Sequence, residues 1–240
     1  HSGAGRVSAV LTSSDVAPLL DITGLSPAPR VLALDTLAGP ALDAPVPVSP
    51  DATALLQFTS GSTASPKGVV LPHHALLANV RSIAGPDGLD TCTDDVAVSW
   101  LPLYHDMGLI GMLLVSVYQR AHAVILSPIL FLKRPTAWLD AISRYRGTVS
   151  FAPNFAFDLC RRRVKPSQLA ALDLSSWRVA GCGAEPIRAD SLNEFAAHFA
   201  SCGFKPSAFV PSYGLAEHAL AVTLGHRGLH IDVVDADTLN

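Results

Sequence analysis

A chain of 240 residues with 49% hydrophobic and only 15% charged residues can bury a large core, and a net charge of −3 gives it no electrostatic pull on nucleic acid. Its four cysteines, Cys92, Cys160, Cys182 and Cys202, contain no C-x-x-C pair, which argues for buried thiols in a reducing compartment and against a disulfide framework or a zinc site. No run approaches the roughly 18 apolar residues of a membrane span and the N-terminus lacks a signal pattern, so no membrane span and a cytoplasmic location are expected.

Along the chain, short apolar runs alternate with amphipathic segments. The first strand is expected at Ser8–Leu11, then a helix at Ser14–Leu20 and a strand at Arg30–Leu34. The Pro-rich stretch Pro40–Pro50 reads as a linker. Strands follow at Ala54–Phe58 and Gly68–Leu71, a helix at His73–Ala84, a strand at Val96–Trp100 and a long apolar helix at Met107–Gln119. Further strands are expected at His122–Leu126, Thr148–Phe151, Arg178–Cys182, Ala208–Pro211 and Ala219–Leu224. Between them lie helices at Pro135–Tyr145, Asn154–Arg163, Pro166–Leu172, Ala189–Phe199 and a short one at Leu215–His218. Strands alternating with helices of about ten residues predict an α/β layered fold with a largely parallel sheet flanked by helices. Ligands of such sheets gather at the carboxyl ends of strands.

Four stretches at such ends carry chemistry. Phe58-Thr59-Ser60-Gly61-Ser62-Thr63-Ala64-Ser65-Pro66-Lys67-Gly68 concentrates hydroxyls, glycines and one Lys after an apolar run, as a polyphosphate requires; a plain surface turn is the competing reading. It is not a Walker A loop, because Pro66 and Gly68 stand where that motif needs Gly and Ser/Thr. Ser99-Trp100-Leu101-Pro102-Leu103-Tyr104-His105-Asp106-Met107-Gly108 is either a packed strand–helix corner or a site for His105. Gly181-Cys182-Gly183-Ala184-Glu185-Pro186 is either an ordinary turn or a small-residue bed for a flat ring, with Glu185 accepting from an exocyclic amine. In Pro211-Ser212-Tyr213-Gly214-Leu215-Ala216-Glu217, Tyr213 can stack on a base and Glu217 can offer hard oxygens to Mg²⁺, or Glu217 simply favours a helix start. No G-x-S-x-G occurs, which disfavours a serine hydrolase.

Taken together and in this order, the four motifs resemble the adenylate-forming superfamily of acyl-CoA synthetases, luciferases and peptide-synthetase adenylation domains. Within it the run Ser99–Ile110, Ala152–Phe157, Gly183–Pro186 and Pro211–Glu217 is most similar to the fatty acyl-AMP ligases. The resemblance covers residue 50 to the end and, more loosely, what precedes. Ala64 and Ser65 after the loop Thr lean the same way, whereas Lys67 does not discriminate.

What the resemblance implies is ATP-dependent activation of a fatty acid to its acyl-adenylate, with release of pyrophosphate and transfer to an acyl carrier protein. A related acyl-CoA synthetase, or a non-catalytic acyl- or nucleotide-binding relative, remains an alternative. A substrate carboxylate with a pKa near about 4.3 is already ionised, so alignment and charge neutralisation are needed rather than a general base. By resemblance, Thr59, Ser60, Gly61, Ser62, Thr63 and Lys67 hold phosphates, and Gly183, Ala184, Glu185 and Pro186 with Ser212, Tyr213, Gly214, Leu215 and Ala216 hold the adenine. Glu217 with Thr63 binds Mg²⁺, and His105 sits near the acyl carboxylate, which makes His105, Lys67 and Glu217 the expected catalytic set. Met107, Leu109, Ile110, Met112, Leu113 and Val115, with Phe151, Phe155 and Phe157, are core candidates from which some are expected to line an acyl tunnel.

Residues 1–50 are expected to close a preceding βα subdomain and lead through the linker, and residues 51–240 to form the AMP-binding subdomain. The opening His1-Ser2-Gly3 lacks an initiator Met and Ile231–Val234 is strand-like. An excised piece, poor in catalysis alone, is therefore expected. The ribose-binding Asp, the hinge and the small domain with its catalytic Lys would lie beyond Asn240.

Overall fold

The computed structural model describes residues 7–39, 44–59 and 67–235. Contacts divide the chain into two units, residues 1–49 and 50–240.

In the first unit, β1 (Ala9–Thr12) and β2 (Arg30–Ala33) pair in parallel, Ala9 opposite Arg30. The expected helix at Ser14–Leu20 shrinks to a single 3₁₀ turn, Ala17–Leu19. Pro18 supplies no N–H and forbids a longer helix through that point. Ser14 instead binds Asp35 through its N–H at 2.8 Å and its hydroxyl at 2.5 Å.

The second unit opens with an antiparallel hairpin, β3 (Thr53–Thr59) and β4 (Lys67–Pro72), whose mouth is the pair Thr59–Lys67. Helix α1 (His73–Ala84) follows without a break. Then come β5 (Val96–Ser99), a π-helix (Met107–Leu114) continued by α2 (Val115–Gln119), β6 (His122–Ile125), α3 (Pro128–Lys133) and α4 (Thr136–Tyr145). The chain continues through β7 (Val149–Ala152), α5 (Asn154–Arg163), α6 (Pro166–Leu169), β8 (Val179–Cys182), α7 (Ala189–His198), β9 (Phe209–Gly214) and β10 (Ala221–Leu224).

Six strands form one sheet in the order β10-β9-β8-β7-β5-β6, parallel except for the antiparallel β9–β10 pair. The layered, largely parallel α/β fold expected from the alternation is what the chain adopts. Strands β7 and β8 are buried at every position, as strands covered on both faces must be. Sequence order runs outward in opposite directions from β5 and β7, so their boundary is the switch point at which open sheets leave a crevice.

A buried aromatic ladder fixes this unit. Trp100 stacks on Phe131 at 3.8 Å, Trp138 meets Trp177 at 5.1 Å, and Phe157 meets Phe195 at 5.1 Å. Burying each such ring contributes about 2–3 kcal/mol. Beside it, Arg178 grips Asp95 with Nη2–Oδ2 at 2.5 Å and Nε–Oδ1 at 2.9 Å, and donates to the carbonyls of Leu89 and Asp90. Burial works against the Asp95 carboxylate, but hydrogen bonds from Arg178, Thr148 and the Cys92 N–H outweigh it and hold the group below its ordinary range.

Three expectations change here. The single helix over Met107–Gln119 begins as eight residues of π-helix, with the Val115 N–H reaching Ile110 O five residues back. Short α3 escapes sequence reading because Ile129, Leu130 and Leu132 are exposed and only Phe131 is buried, so no amphipathic period exists. Cys92 is exposed, unlike the buried Cys160, Cys182 and Cys202; burial and the nearby Glu185 carboxylate push the Cys182 thiol up to about 12. Among the described residues no helix is long and apolar enough to cross a membrane.

Candidate functional site

A cavity of about 760 Å³ opens at the carboxyl ends of β5, β7, β8 and β9, beside the β3 strand. Its polar rim is built by three of the motif loops.

After β5, the chain turns at Pro102, and the Pro102 carbonyl accepts the His105 N–H at 3.1 Å. Gln57 of β3 is buried and donates its amide to Tyr104 O at 3.2 Å, which ties the hairpin to this loop. His105 lines the cavity with Nδ1 2.8 Å from Asp106 Oδ1, its side chain half exposed. The hydrogen bond to Asp106 raises the imidazole pKa above its ordinary value, against a smaller opposing effect of burial. Asp106 also accepts the Met107 N–H at 2.7 Å, so one carboxylate both orients the imidazole and starts the π-helix.

After β8, Gly183 passes so close to β9 that a Cβ there would stand 2.7 Å from Ser212 Oγ and 2.8 Å from Ser212 O. Only glycine permits that approach. Ser212 Oγ in turn donates to Cys182 O at 3.0 Å, locking β9 to β8. Ala184 lines the cavity at a left-handed φ of 66°, an uncommon conformation for a side-chain-bearing residue. Glu185 accepts the Phe155 N–H at 2.6 Å, capping the start of α5 where a carboxylate is favoured. One of its oxygens is therefore committed. Of this motif only Ala184 lines the cavity; Gly183, Glu185 and Pro186 do not.

At the end of β9, Ser212, Tyr213 and Gly214 line the cavity, followed by Leu215, Ala216 and Glu217 after the strand. Tyr213 is 57% exposed, its ring open to a ligand. Leu215 N–H bonds to Leu220 O at 2.9 Å, and a γ-turn at Ala219 (φ 65°, ψ −58°) closes the loop with Leu220 N–H on His218 O. Glu217 is exposed and forms no ion pair among the described residues. Its carboxylate suits a cation that keeps most of its ligands as water and phosphate, as Mg²⁺ does. No group of three or more His, Cys, Asp or Glu side chains that could cage a metal occurs among the described residues.

The fourth motif is present at its ends. Phe58 lines the cavity, and Lys67 is exposed and paired to Thr59 across the hairpin mouth. Ser60, Gly61, Ser62 and Thr63, with Ala64 to Pro66, lie outside the described residues.

Below the rim the cavity turns apolar, lined by Ile83, Leu89, Met107, Phe151, Leu220 and Leu224 with bare backbone at Gly111. Of the helix residues singled out in the sequence, only Met107 reaches the cavity; Ile110, Met112 and Val115 are core. Phe151 lines it, Phe157 is fully buried in the ladder, and Phe155 is half exposed beside Trp100. Sequence reasoning missed Gln57, Ile83, Leu89, Gly111, Leu220 and Leu224. Only Gly111, a second glycine inside an apolar helix, left a signal.

The site is thus a switch-point crevice with a polar rim, an imidazole whose pKa is raised, and an apolar floor, the place where an α/β sheet offers room for a ligand. The sequence profile of the AMP-binding enzyme family matches residues 5–238, and the chain belongs to that family. It is 44% identical over 180 residues to a medium-chain-fatty-acid–[acyl-carrier-protein] ligase of Teredinibacter turnerae, covering 74% of this chain and 27% of that protein. It is 38% identical over 234 residues to a 4-hydroxyphenylalkanoate adenylyltransferase of Mycobacterium marinum, covering 92% and 37%. Among solved structures, a fatty acyl-adenylate ligase from L. pneumophila in complex with acyl adenylate and pyrophosphate superposes with a TM-score of 0.83 at 38% identity. That match covers 92% of this chain and 39% of the other. The chain thus spans between a quarter and two-fifths of the proteins it resembles.

Proposed function

We propose that the protein activates a fatty acid with ATP, forming the acyl-adenylate and pyrophosphate, and delivers the acyl group to an acyl carrier protein. One cavity supports this reading: it joins a nucleotide-sized polar rim from three motif loops to an apolar floor. The similarity to an acyl-carrier-protein ligase supports the acceptor.

In this reading the chemistry is in-line attack of the acid's carboxylate oxygen on the α-phosphorus, breaking the bond to the bridging oxygen of pyrophosphate. Two anions must meet, and His105, held cationic toward higher pH by Asp106, offers Nε2 to the charge between them. Tyr213 stacks on the adenine, bedded on Gly183, Ala184, Pro186 and Ser212 to Ala216. Glu185 uses its remaining oxygen on the exocyclic amine. Thr59, Ser60, Gly61, Ser62, Thr63 and Lys67 hold the phosphates. Glu217, with Thr63, would hold Mg²⁺, which neutralises phosphate charge when bound. The acyl chain runs down to Leu89 and Phe151.

Pyrophosphate exchange in the full-length protein tests this. Glu217→Ala is expected to lower fatty-acid-dependent exchange about a hundredfold, while a surface carboxylate lost costs under about 0.5 kcal/mol of stability. Unchanged exchange removes Glu217 from the metal role. Product formed on adding coenzyme A, and none with a phosphopantetheinylated carrier protein, replaces the acceptor.

A further inference from the structure

We propose that Asn79 is a positioning residue for the nucleotide half of the cavity, an inference that rests on the ligand assignment above. Asn79 sits in the middle of α1 and is 8% exposed. Its Nδ2 donates to Ala221 O at 2.9 Å, and the Ala221 N–H donates to its Oδ1 at 3.1 Å. The side-chain amide therefore stands in for a strand partner, satisfying both backbone groups of one residue on β10, the outermost strand of the sheet. Ala221 lies opposite Gly214 of β9, and the pairing slips between Ala221 and Thr223. The turn over residues 215–220 is closed internally by Leu215 and Leu220, and at its base, beside the slip, Asn79 adds a hold from outside the hairpin.

Asparagine is a poor helix former, and a buried amide without partners costs about 1–3 kcal/mol, so packing alone would favour Leu at this position. The two bonds give it a purpose. They pin the base of the loop that presents Tyr213 and Glu217 to the same helix that continues from Lys67 and β4. Helix α1 is thereby a strut with the phosphate hairpin at one end and the base- and metal-facing loop clasped to its side. The β9–β10 turn also meets the π-helix, where a Cβ at Gly111 would come within 2.9 Å of Leu220 Cδ2. Leu220, one residue from the clasp, is thus held by a second helix as well.

Two variants separate positioning from mere stability in the full-length protein. Asn79→Asp keeps the acceptor but turns an oxygen on Ala221 O; Asn79→Leu removes both bonds and restores helix propensity. Both are expected to weaken Mg·ATP, read by calorimetric titration, roughly tenfold, with the KM for the fatty acid within about twofold and Asn79→Leu melting near the wild-type temperature. Wild-type Mg·ATP affinity in either folded variant overturns the proposal. So does an equal loss of nucleotide and fatty-acid affinity. Hydrogen exchange of the unmodified protein needs no variant: Mg·ATP is expected to slow exchange at Ala221 together with residues 213–217. Unchanged protection at Ala221 overturns the proposal. A wild type that binds Mg·ATP yet exchanges pyrophosphate with no fatty acid sinks the ligase reading and leaves the Asn79 comparison intact.

Discussion

The rim and the floor of the cavity are built on opposite terms. The rim side chains that would meet a ligand, His105, Tyr213 and Glu217, are exposed and make few contacts of their own. The floor, by contrast, is cut from the core: Ile83, Leu89, Met107 and Phe151 are each buried while facing the cavity. Rim residues can therefore change with little effect on folding, whereas these four floor residues serve the fold as well as whatever the cavity holds. Under the proposed function, chemistry would rest on a few polar groups, and chain-length selection would be inseparable from packing.

The largest effect separating the two falls on Phe151, which is 7% exposed with its ring across the bare backbone of Gly181. Phe151→Ala is expected to destabilise the protein by about 3–5 kcal/mol in denaturant titration. A loss below about 1 kcal/mol would make the floor as dispensable as the rim and erase the contrast. Gly111→Leu sharpens it further, since the new side chain must enter the floor beside Leu220. The KM for hexadecanoate is expected to rise about tenfold and that for butanoate to stay within about twofold. A uniform loss across chain lengths would mean that the floor does not hold the acyl chain.

The smallest effect lies on the rim. The folded pKa of His105 is raised, so its pairing with Asp106 stabilises the protein fully below the unfolded value of about 6.5 and fades as pH climbs through the higher folded value. With the imidazole half exposed, solvent screening leaves a few tenths of a kcal/mol at most. The stability gap between wild type and Asp106→Asn, followed by denaturant midpoint, is therefore expected to narrow as pH rises above neutrality. A gap that widens instead contradicts the pairing.

The same division governed what could be read from the chain. Helices α1 and α5 were legible to the residue, because their apolar positions repeat at helical spacing between clear stops. The places of His105, Ala184, Tyr213 and Glu217 on one rim were legible too, since each lies in a compact motif at or just past the end of a strand. The floor was legible only at Met107 and Phe151, which stood among the candidates for an acyl tunnel. Ile83 and Leu89, either side of the end of α1, and Leu220 and Leu224, far along the chain, each look like an ordinary core residue in their own neighbourhood. Nor does any local pattern reveal that Met107–Leu114 winds as a π-helix, because its bare Gly108 and Gly111 are shaped by what they pack against, the Pro102 carbonyl and Leu220.

The aromatic ladder carries a practical corollary. Trp100, Trp138 and Trp177 are the only tryptophans of these 240 residues, and residues 1–49 contain no Phe, Tyr or Trp at all. Near-ultraviolet absorbance and intrinsic emission consequently watch residues 50–240 alone. The first 49 residues can melt or re-form in optical silence, so a single sharp fluorescence transition says nothing about them.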